Sequence, residues 1–266
     1  MENLVSIKWL KDNYYDSDLV LLDCSLNVDV TSHKSIPGSQ YFDIKKAFSD
    51  RTSAFPNAIP TADQFENECQ KLGIDRTSKI VVFDHKGIYS SPRAWWLFKT
   101  MGHESVAVLD GGLPAWIKAG HETEILNSSD RNGNFEAKLS APNVKSFEDV
   151  LDNIKTKSFL LVDARSQGRF EGVAPEPRKT LKSGHIPNSK NMPFTSLLTD
   201  GKLRPKNELQ QIFKALDDDR EFVFSCGSGI TACILALASE VSGHPCRSIF
   251  DGSWTEWAER NGLKTE

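Results

Sequence analysis

The sequence has 266 residues, of which 39% are hydrophobic and 26% are charged, and this composition is typical of a globular protein with one large domain or two ordinary ones. The formal net charge is −4, and no run of like charges indicates a nucleic-acid surface. No signal-peptide pattern and no apolar run of about 18 residues is present, so we expect a cytoplasmic protein without a membrane partner.

Five cysteines are spread over the chain, which is a sparse and odd number for this length. Such usage argues against a disulfide framework and favours free thiols in a reducing compartment. One of the five, Cys226, lies where we expect chemistry. We interpret the other four as packing residues: Cys24, Cys69, Cys233 and Cys246.

In chain order, the first half alternates short apolar runs with helix-forming stretches. The patterns predict a helix at residues 6–11, a strand at 19–23, a helix from Thr61 to Gly73, a strand at 80–83, a helix at 92–101, a strand at 106–109 and a helix around Trp116. We expect the carboxylate of Asp23, at the end of its strand, to hold neighbouring loops. Strands that alternate with helices indicate an α/β fold with a parallel sheet.

The polar stretch at residues 127–143 is the best candidate for a linker. It places a domain boundary near its middle. We therefore predict two domains, residues 1–138 and residues 139–266.

The second half of the chain repeats the first. An apolar strand that ends in aspartate opens both halves, and residues 251–257 match residues 110–116 at an offset of 141. The same offset places His85 opposite Cys226. We therefore predict two copies of one domain, of which only the second has the thiol.

The second copy carries an insertion. The distance along the chain from Asp163 to Pro187 is 24 residues, against 14 from Asp23 to Pro37. The additional segment, residues 169–178, contains two prolines, which disfavour a helix or a central strand. We predict a loop beside the site.

The thiol of Cys226 lies at a chemically special position. A β-forming run at residues 222–224 precedes it, a loop of small residues follows, and residues 234–238 form helices readily, so the pattern predicts strand, tight loop and helix. Unpaired backbone N–H groups and the positive end of a helix dipole favour an anion. We expect Cys226 to be partly thiolate near neutral pH.

Other interpretations of this loop fit the residues less well. Residues 227–232 match the dinucleotide pattern G-x-G-x-x-A, but the first repeat lacks the glycines. A cysteine-dependent phosphatase needs an arginine where this chain has Ala232. A zinc site lacks standard ligand spacing, and we expect neither a metal nor a cofactor. The set that would form such a zinc site is Cys226, Cys233, His244 and Cys246.

Six short motifs are distributed along the chain. They are residues 50–53, 89–96, 109–112, 168–170 with 175–178, 184–187 and 226–231. In this order they resemble the tandem rhodanese-like sulfurtransferases, and within them the 3-mercaptopyruvate sulfurtransferases. The resemblance implies two tandem rhodanese-like domains of class α/β, each with a central, mainly parallel sheet flanked by helices. It implies a catalytically inactive first domain, with His85 in the cysteine position, and a catalytic second domain.

The resemblance also implies the reaction. Cys226 would take sulfane sulfur from 3-mercaptopyruvate, release pyruvate, hold the sulfur as a persulfide and pass it to a small thiol, cyanide or a thioredoxin-like protein. Thiosulfate-using relatives tend to carry cations in the loop, whereas residues 227–229 are uncharged here. A thiosulfate sulfurtransferase, or a persulfide carrier that does not turn over, stays open as an alternative.

Residue roles follow from the same resemblance. Ser228 would belong to a proton relay, and Arg169 and Arg178 would bind the α-keto carboxylate, which suits the guanidinium fork. The family has histidine where this chain has Ser35, with His33 two positions earlier, so the base of the relay is not assigned. The remaining substrate-binding positions of the loop are Gly227, Gly229, Ile230 and Thr231, although Thr231 also fits a simple helix cap.

Overall fold

The computed structural model describes residues 1–126, 131–216 and 218–262. The chain divides into two compact units. Unit 1 comprises Met1–Thr52, Ile59–Ser140 and Thr199–Leu203, and unit 2 comprises Ser53–Ala58, Ala141–Leu198 and the described part of Arg204–Glu266. Because each unit takes short segments from the other half of the chain, no single cut separates them.

Unit 1 is built mainly from the first half of the chain. Its elements are β1 (Leu4–Val5), α1 (Ile7–Asp12), β2 (Leu19–Asp23), β3 (Lys34–Ser35), β4 (Gln40–Tyr41), α2 (Ala62–Lys71), β5 (Lys79–Phe83), α3 (Ser91–Thr100), β6 (Val106–Leu109), α4 (Gly112–Lys118) and β7 (Glu124–Ile125). The helices and strands predicted from the sequence are confirmed to within one or two residues. Ser6 and Thr61 cap α1 and α2, as their side chains accept from the backbone N–H of Trp9 and Gln64.

Five strands of unit 1 form one sheet in the order β1-β6-β5-β2-β4, and all its pairs are parallel. Strand β5 is apolar almost throughout, and four of its five residues are buried. A central strand of a parallel sheet is covered by packing on both faces, which requires such a continuous apolar run. The short strands β3 and β7 pair separately and antiparallel.

Unit 2 repeats this plan. After a 3₁₀ turn at Ala141–Asn143, its elements are β8 (Val144–Lys145), α5 (Phe147–Thr156), β9 (Phe159–Asp163), α6 (Gln167–Phe170), β10 (Lys190–Asn191), a second 3₁₀ turn at Phe194–Leu197, the hairpin strands β11 (Leu198–Thr199) and β12 (Lys202–Leu203), then α7 (Lys206–Lys214), β13 (Glu221–Ser225), α8 (Ala232–Ser242), β14 (Ile249–Phe250) and α9 (Ser253–Arg260). The hairpin residues Thr199–Leu203 are grouped with unit 1.

The main sheet of unit 2 has the order β10-β9-β13-β14-β8, and its pairs are all parallel. The central pair runs from Glu221 opposite Phe159 to Ser225 opposite Asp163. In unit 1, β5 and β2 pair over five residues in the same way. The α/β class with mainly parallel sheets and the internal repeat are therefore confirmed.

Two local predictions need correction. The insertion at residues 169–178 is not entirely loop, because Arg169 and Phe170 belong to the single turn of α6. Of the expected linker, residues 127–130 lie outside the described residues, whereas the backbone N–H of Gly133 and Phe135 donates to Gln70 and Ile74. Phe135 is fully buried in unit 1, so this part of the segment is packed chain.

Within the described ranges, no helix combines the length and the apolar character needed to cross a membrane.

Candidate active site

Cys226 follows β13 directly, and the start of α9 holds its backbone. Its N–H donates to Oγ of Ser253 (3.1 Å), and its carbonyl accepts from the N–H of Trp254 (3.0 Å). The side chain is only 2% exposed. The predicted strand, loop and helix are confirmed, with α8 beginning at Ala232.

In the loop after Cys226, the carbonyl of Gly227 is hydrogen-bonded, whereas three N–H groups have no recorded acceptor among the described residues. The carbonyl of Gly227 accepts from the N–H (3.0 Å) and Oγ1 (2.6 Å) of Thr255. Among the described residues, no acceptor is recorded for the N–H groups of Ile230, Thr231 and Ala232. These donors lie at the N-terminus of an eleven-residue helix, where partial positive charge accumulates. The arrangement can bind an anion.

The alternative role of Thr231 as a side-chain cap is wrong. The residue lies at the N-cap position of α8, but its backbone is already helical (φ −75°, ψ −16°) and its side chain makes no capping hydrogen bond. An N-cap that caps through its side chain needs an extended backbone. Thr231 therefore contributes its backbone N–H to the loop.

The sequence did not reveal the partner of Ser228. Nδ2 of Asn57 lies 2.9 Å from Oγ and 3.2 Å from the backbone carbonyl oxygen of Ser228. Asn57 belongs to Ser53–Ala58, the short segment that joins unit 2, and is nearly buried. Its φ of +58° is a left-handed conformation that asparagine tolerates better than most residues. The sequence shows only that Asn57 is a residue type that tolerates this conformation, and it does not show the contact with Ser228.

Arg169 lies beside the cysteine loop. Its Nε and Nη2 donate to the two carboxylate oxygens of Glu176 at 3.0 and 2.6 Å. A Cβ at position 227 would lie 3.0 Å from Nη2, so glycine there leaves room for the guanidinium. Glu176 occupies the Nε–Nη2 edge of the guanidinium. No partner of Nη1 is recorded in the part of the chain that the structure describes, so the Nη1 edge can bind a second anion.

A second arginine, Arg165, binds the same carboxylate of Glu176 that holds Arg169. Nη1 of Arg165 donates to Glu176 at 2.8 Å, its Nε and Nη2 donate to Asp163, and its guanidinium lies 4.5 Å from the ring centre of Trp254. Arg165 and Glu176 are both buried. Removing one partner of such a group leaves an uncompensated charge, which costs several kcal/mol. Sequence reasoning assigned no role to either residue.

For Arg178, no contact with the cysteine loop is recorded among the described residues. It is exposed, and among the described residues its side chain makes no hydrogen bond or ion pair. Its proposed role in binding a carboxylate stays a prediction.

The other cysteines are packing residues, as predicted. Burial raises the pKa of Cys24 and Cys69, and it raises the pKa of Cys246 to about 11. Cys233 is buried in α8, with Sγ 3.2 Å from the carbonyl oxygen of Gly229. The raised pKa makes Cys24, Cys69 and Cys246 poor nucleophiles at neutral pH. In the part of the chain that the structure describes, no three His, Cys, Asp or Glu side chains are grouped as metal ligands.

The position equivalent to Cys226 in unit 1 is Asp84, so the assignment of His85 is wrong by one residue. The carbonyl of Asp84 accepts from the N–H of Leu113 as that of Cys226 accepts from Trp254. The loop of unit 2 is one residue shorter than that of unit 1, and the constant offset fails across it.

The carboxylate of Asp84 fills its own loop. Oδ2 accepts from the N–H groups of Tyr89, Ser90 and Ser91 at 2.9 to 3.0 Å and from Oγ of Ser91 at 2.7 Å. The residue is fully buried. Unit 1 therefore shows that this loop holds an anion at the position of Cys226.

Asp23 holds two neighbours in unit 1, as predicted. Its Oδ2 accepts from Oγ of Ser35 (2.5 Å) and lies 2.9 Å from Nε2 of His33. Its Oδ1 accepts from the N–H of Ser25. His33 and Ser35 thus both bind the carboxylate of Asp23. Ser35 is the residue that stands where the family has histidine.

Comparison with known proteins agrees with this architecture. The pattern of the rhodanese-like domain matches residues 6–119 and 146–260. The chain is 38% identical over 274 residues to a 3-mercaptopyruvate sulfurtransferase from Rattus norvegicus, covering 97% of this chain and 92% of the relative. It is 37% identical over 297 residues to the mitochondrial thiosulfate/3-mercaptopyruvate sulfurtransferase 1 of Arabidopsis thaliana, covering 100% of this chain and 78% of the relative.

A solved structure shares the fold over nearly its full length. SseA from Escherichia coli, described as a 3-mercaptopyruvate sulfotransferase, superimposes with a TM-score of 0.85 at 30% identity. The match covers 96% of this chain and 99% of that one. The chain therefore belongs to the rhodanese-like family, as a sulfurtransferase with two rhodanese-like domains.

Proposed function

We propose that this protein is a 3-mercaptopyruvate sulfurtransferase whose second domain, residues 139–266, is catalytic and whose first, residues 1–138, is not. The observation that carries the proposal is the loop around Cys226. It places a thiol at the end of a strand, ahead of a loop with three N–H groups for which no acceptor is recorded among the described residues. The same loop in unit 1 holds the carboxylate of Asp84, which supports an anionic sulfur in the second domain.

The chemistry follows from a thiolate in that position. Sγ of Cys226 attacks the sulfur of mercaptopyruvate, an S–S bond forms, and the S–C bond breaks with its electrons passing to the pyruvate enolate. The loop N–H groups of Ile230, Thr231 and Ala232 stabilise the charge on the persulfide. An acceptor thiol or cyanide then takes the outer sulfur and returns the thiolate. With a thiol acceptor, that thiol loses one proton when it attacks the outer sulfur, and the pyruvate enolate takes up one proton, so the overall reaction is balanced.

The donor is proposed from the cation beside the loop. The Nη1 edge of Arg169 suits the planar carboxylate of an α-keto acid, which it binds through two parallel hydrogen bonds. Residues 227–229 of the loop itself are uncharged. Arg178, which is exposed in the same insertion, is a second candidate for the carboxylate.

Thiosulfate is the alternative donor, because the name of the Arabidopsis relative includes both substrates. A thioredoxin-like protein is a proposed acceptor beside small thiols and cyanide. We also keep the cytoplasm as the proposed location, although that relative is mitochondrial. Cell fractionation with an antibody to this protein tests the location.

The decisive experiment compares kcat/KM for mercaptopyruvate and thiosulfate, with cyanide as acceptor. We expect mercaptopyruvate to be preferred, with many pyruvate molecules released per protein. Cys226→Ser should show no transfer, and mass spectrometry should find one added sulfur atom on Cys226 of the wild type. Preference for thiosulfate would contradict the proposed donor, and one loading event without turnover would indicate a carrier.

A further inference from the structure

We propose that Asn57 is a positioning residue that orients the hydroxyl of Ser228 towards the leaving pyruvate enolate. This inference rests on the proposed function. Asn57 acts through Ser228 and does not itself touch the reacting atoms. The consequence is that a short segment distant in sequence from the catalytic loop sets the rate of mercaptopyruvate cleavage.

The first step is the orientation of the amide. The same nitrogen of Asn57 lies 3.2 Å from the backbone carbonyl oxygen of Ser228 and 2.9 Å from its Oγ. A carbonyl oxygen can only accept, so the group that faces it is the NH₂ and not the oxygen of the amide. Asn57 is therefore a donor to the serine hydroxyl.

The second step concerns the proton of Ser228. A hydroxyl has one proton and two lone pairs, and Asn57 occupies one lone pair. Among the described residues, no acceptor is recorded for the proton itself. The hydroxyl is therefore held as a donor for a bound molecule. A donor that already accepts a hydrogen bond is polarised and binds a developing anion more strongly.

The third step is the charge that forms during the reaction. When the S–C bond of mercaptopyruvate breaks, negative charge develops on the enolate oxygen of pyruvate. A positioned hydroxyl stabilises that charge without reorganising at the moment of reaction. Thiosulfate makes no such demand, because its leaving sulfite is a stable anion. The contribution of Asn57 should therefore depend on the donor.

The backbone of Asn57 explains how the contact is kept. With φ at +58°, the residue turns its short side chain towards the loop, and only 9% of the residue is exposed. Both atoms of Ser228 are held by one amide, which limits the rotation of the serine side chain. Misplacing a catalytic group by about 1 Å can cost roughly 100-fold in rate.

The main test is Asn57→Gly, which removes the donor while keeping a residue that adopts positive φ without strain. We expect kcat with mercaptopyruvate to fall by about 10-fold or more, with a smaller change in KM. Turnover of thiosulfate should change much less. The matched control is Asn188→Gly, since Asn188 has φ of +63° and its Nδ2 donates to the carbonyl of Ile154.

A pH profile separates orientation from packing. Asn57→Asp keeps the shape, but its ionised carboxylate cannot donate to Ser228, whereas its protonated form can. Burial against a carbonyl raises the pKa of such a carboxyl above its usual value of about 3.9. We expect kcat of this variant, relative to the wild type, to rise as the pH falls from 8 to 5. A constant ratio would contradict the donor role.

The double variant completes the test. If Asn57 acts through the hydroxyl, Asn57→Gly should change kcat by less than about 2-fold in a Ser228→Ala background. Independent effects of the two changes, or equal losses with both donors, would overturn the inference. A wild-type protein that turns over neither donor would instead overturn the proposed function, so the two failures are distinguishable.

Discussion

Two loops of this chain leave their parallel sheets in the same way, one after Asp84 in unit 1 and one after Cys226 in unit 2. Both strand-end carbonyls accept from the first turn of a later helix, from Leu113 in α4 and from Trp254 in α9. In unit 1 the carboxylate of Asp84 accepts the loop N–H groups, and in unit 2 the equivalent groups have no acceptor among the described residues. The fold places equivalent N–H groups after both strands: a carboxylate occupies them in unit 1, and the proposed function assigns them to an anionic sulfur in unit 2.

The second difference lies beside the loop. The insertion of unit 2 carries Arg169 and Glu176, and Arg165 anchors them to the end of β9. Unit 1 has ten fewer residues between the corresponding Asp and Pro, and no counterpart to this set is encoded there. Unit 2 thus differs from unit 1 in two features of this site, the side chain at the strand end and a cation beside the loop.

The largest expected effect comes from making the two loops alike. Cys226→Asp should abolish turnover, because the nucleophile is lost, and the new carboxylate should accept from the N–H groups of Ile230, Thr231 and Ala232. We therefore expect this variant to be more stable than Cys226→Ser by about 1.5–3 kcal/mol. Pyruvate release and urea unfolding measure the two effects. Equal stability of both variants would contradict the anion site.

The next effect sharpens the role of the insertion. Arg169→Ala should raise KM for mercaptopyruvate by about 10- to 100-fold, as expected for one lost charge-assisted contact of about 1.5–3 kcal/mol. KM for thiosulfate should change less, because thiosulfate lacks the planar carboxylate. Arg204→Ala is the control, since Arg204 forms an ion pair with Glu208 of α7 and donates to the carbonyl of Ser196. Equal changes for both donors would show that Arg169 does not bind the carboxylate.

A smaller effect is expected in unit 1. Asp84→Asn keeps one acceptor oxygen but loses the charge that five donors share, and it should lower the free energy of unfolding by about 1.5–3 kcal/mol. Activity of the folded protein should change little. Asp29→Asn serves as the control, because Asp29 is exposed and its carboxylate accepts from the N–H and Oγ1 of Thr31, two residues away. No loss of stability at Asp84 would mean that its loop is not held by the carboxylate.

The smallest effect concerns a pair of equivalent histidines. His103 is buried and His244 is exposed, although the backbone N–H of each donates to the residue five positions earlier. Burial lowers the pKa of His103. As the pH falls, His103 is therefore protonated in the unfolded chain before it is protonated in the folded protein. The contribution of neutral His103 to the free energy of unfolding is fully present above about pH 6.5 and decreases as the pH falls below that value.

Urea unfolding between pH 5 and 8 checks this direction. His103→Gln should show a weaker loss of stability at low pH than the wild type, and His244→Gln should follow the wild type. Parallel curves for the wild type and His103→Gln would contradict the contribution of His103.

Much of the molecule could be predicted because its information is local. The strands β2 and β5 are continuous apolar runs, and Thr61 marks the start of α2, so period and cap residues sufficed. Cys226 stood out because a thiol between a β-forming run and a helix is a local pattern too. The family then followed from motifs that keep their order along the chain.

The errors arose where the tertiary structure overrides spacing. An offset counted along the chain placed His85 opposite Cys226, but the sheet register and the contacts of α4 and α9 place Asp84 there. The polar segment before residue 140 looked like a linker, yet Phe135 is buried in unit 1. Composition cannot show which single aromatic residue anchors a polar stretch.

The sequence by itself determined the α/β class, the repeat and the family, because each is written in periodicity or in contiguous motifs. Only the tertiary structure decided that Asn57 binds Ser228, that Glu176 and Arg165 hold Arg169, and that Asp84 fills the first loop. Asn57 and Ser228 are 171 residues apart in the chain. A hydrogen bond has no sequence signature at that separation, because its partners are chosen by the fold and not by their neighbours.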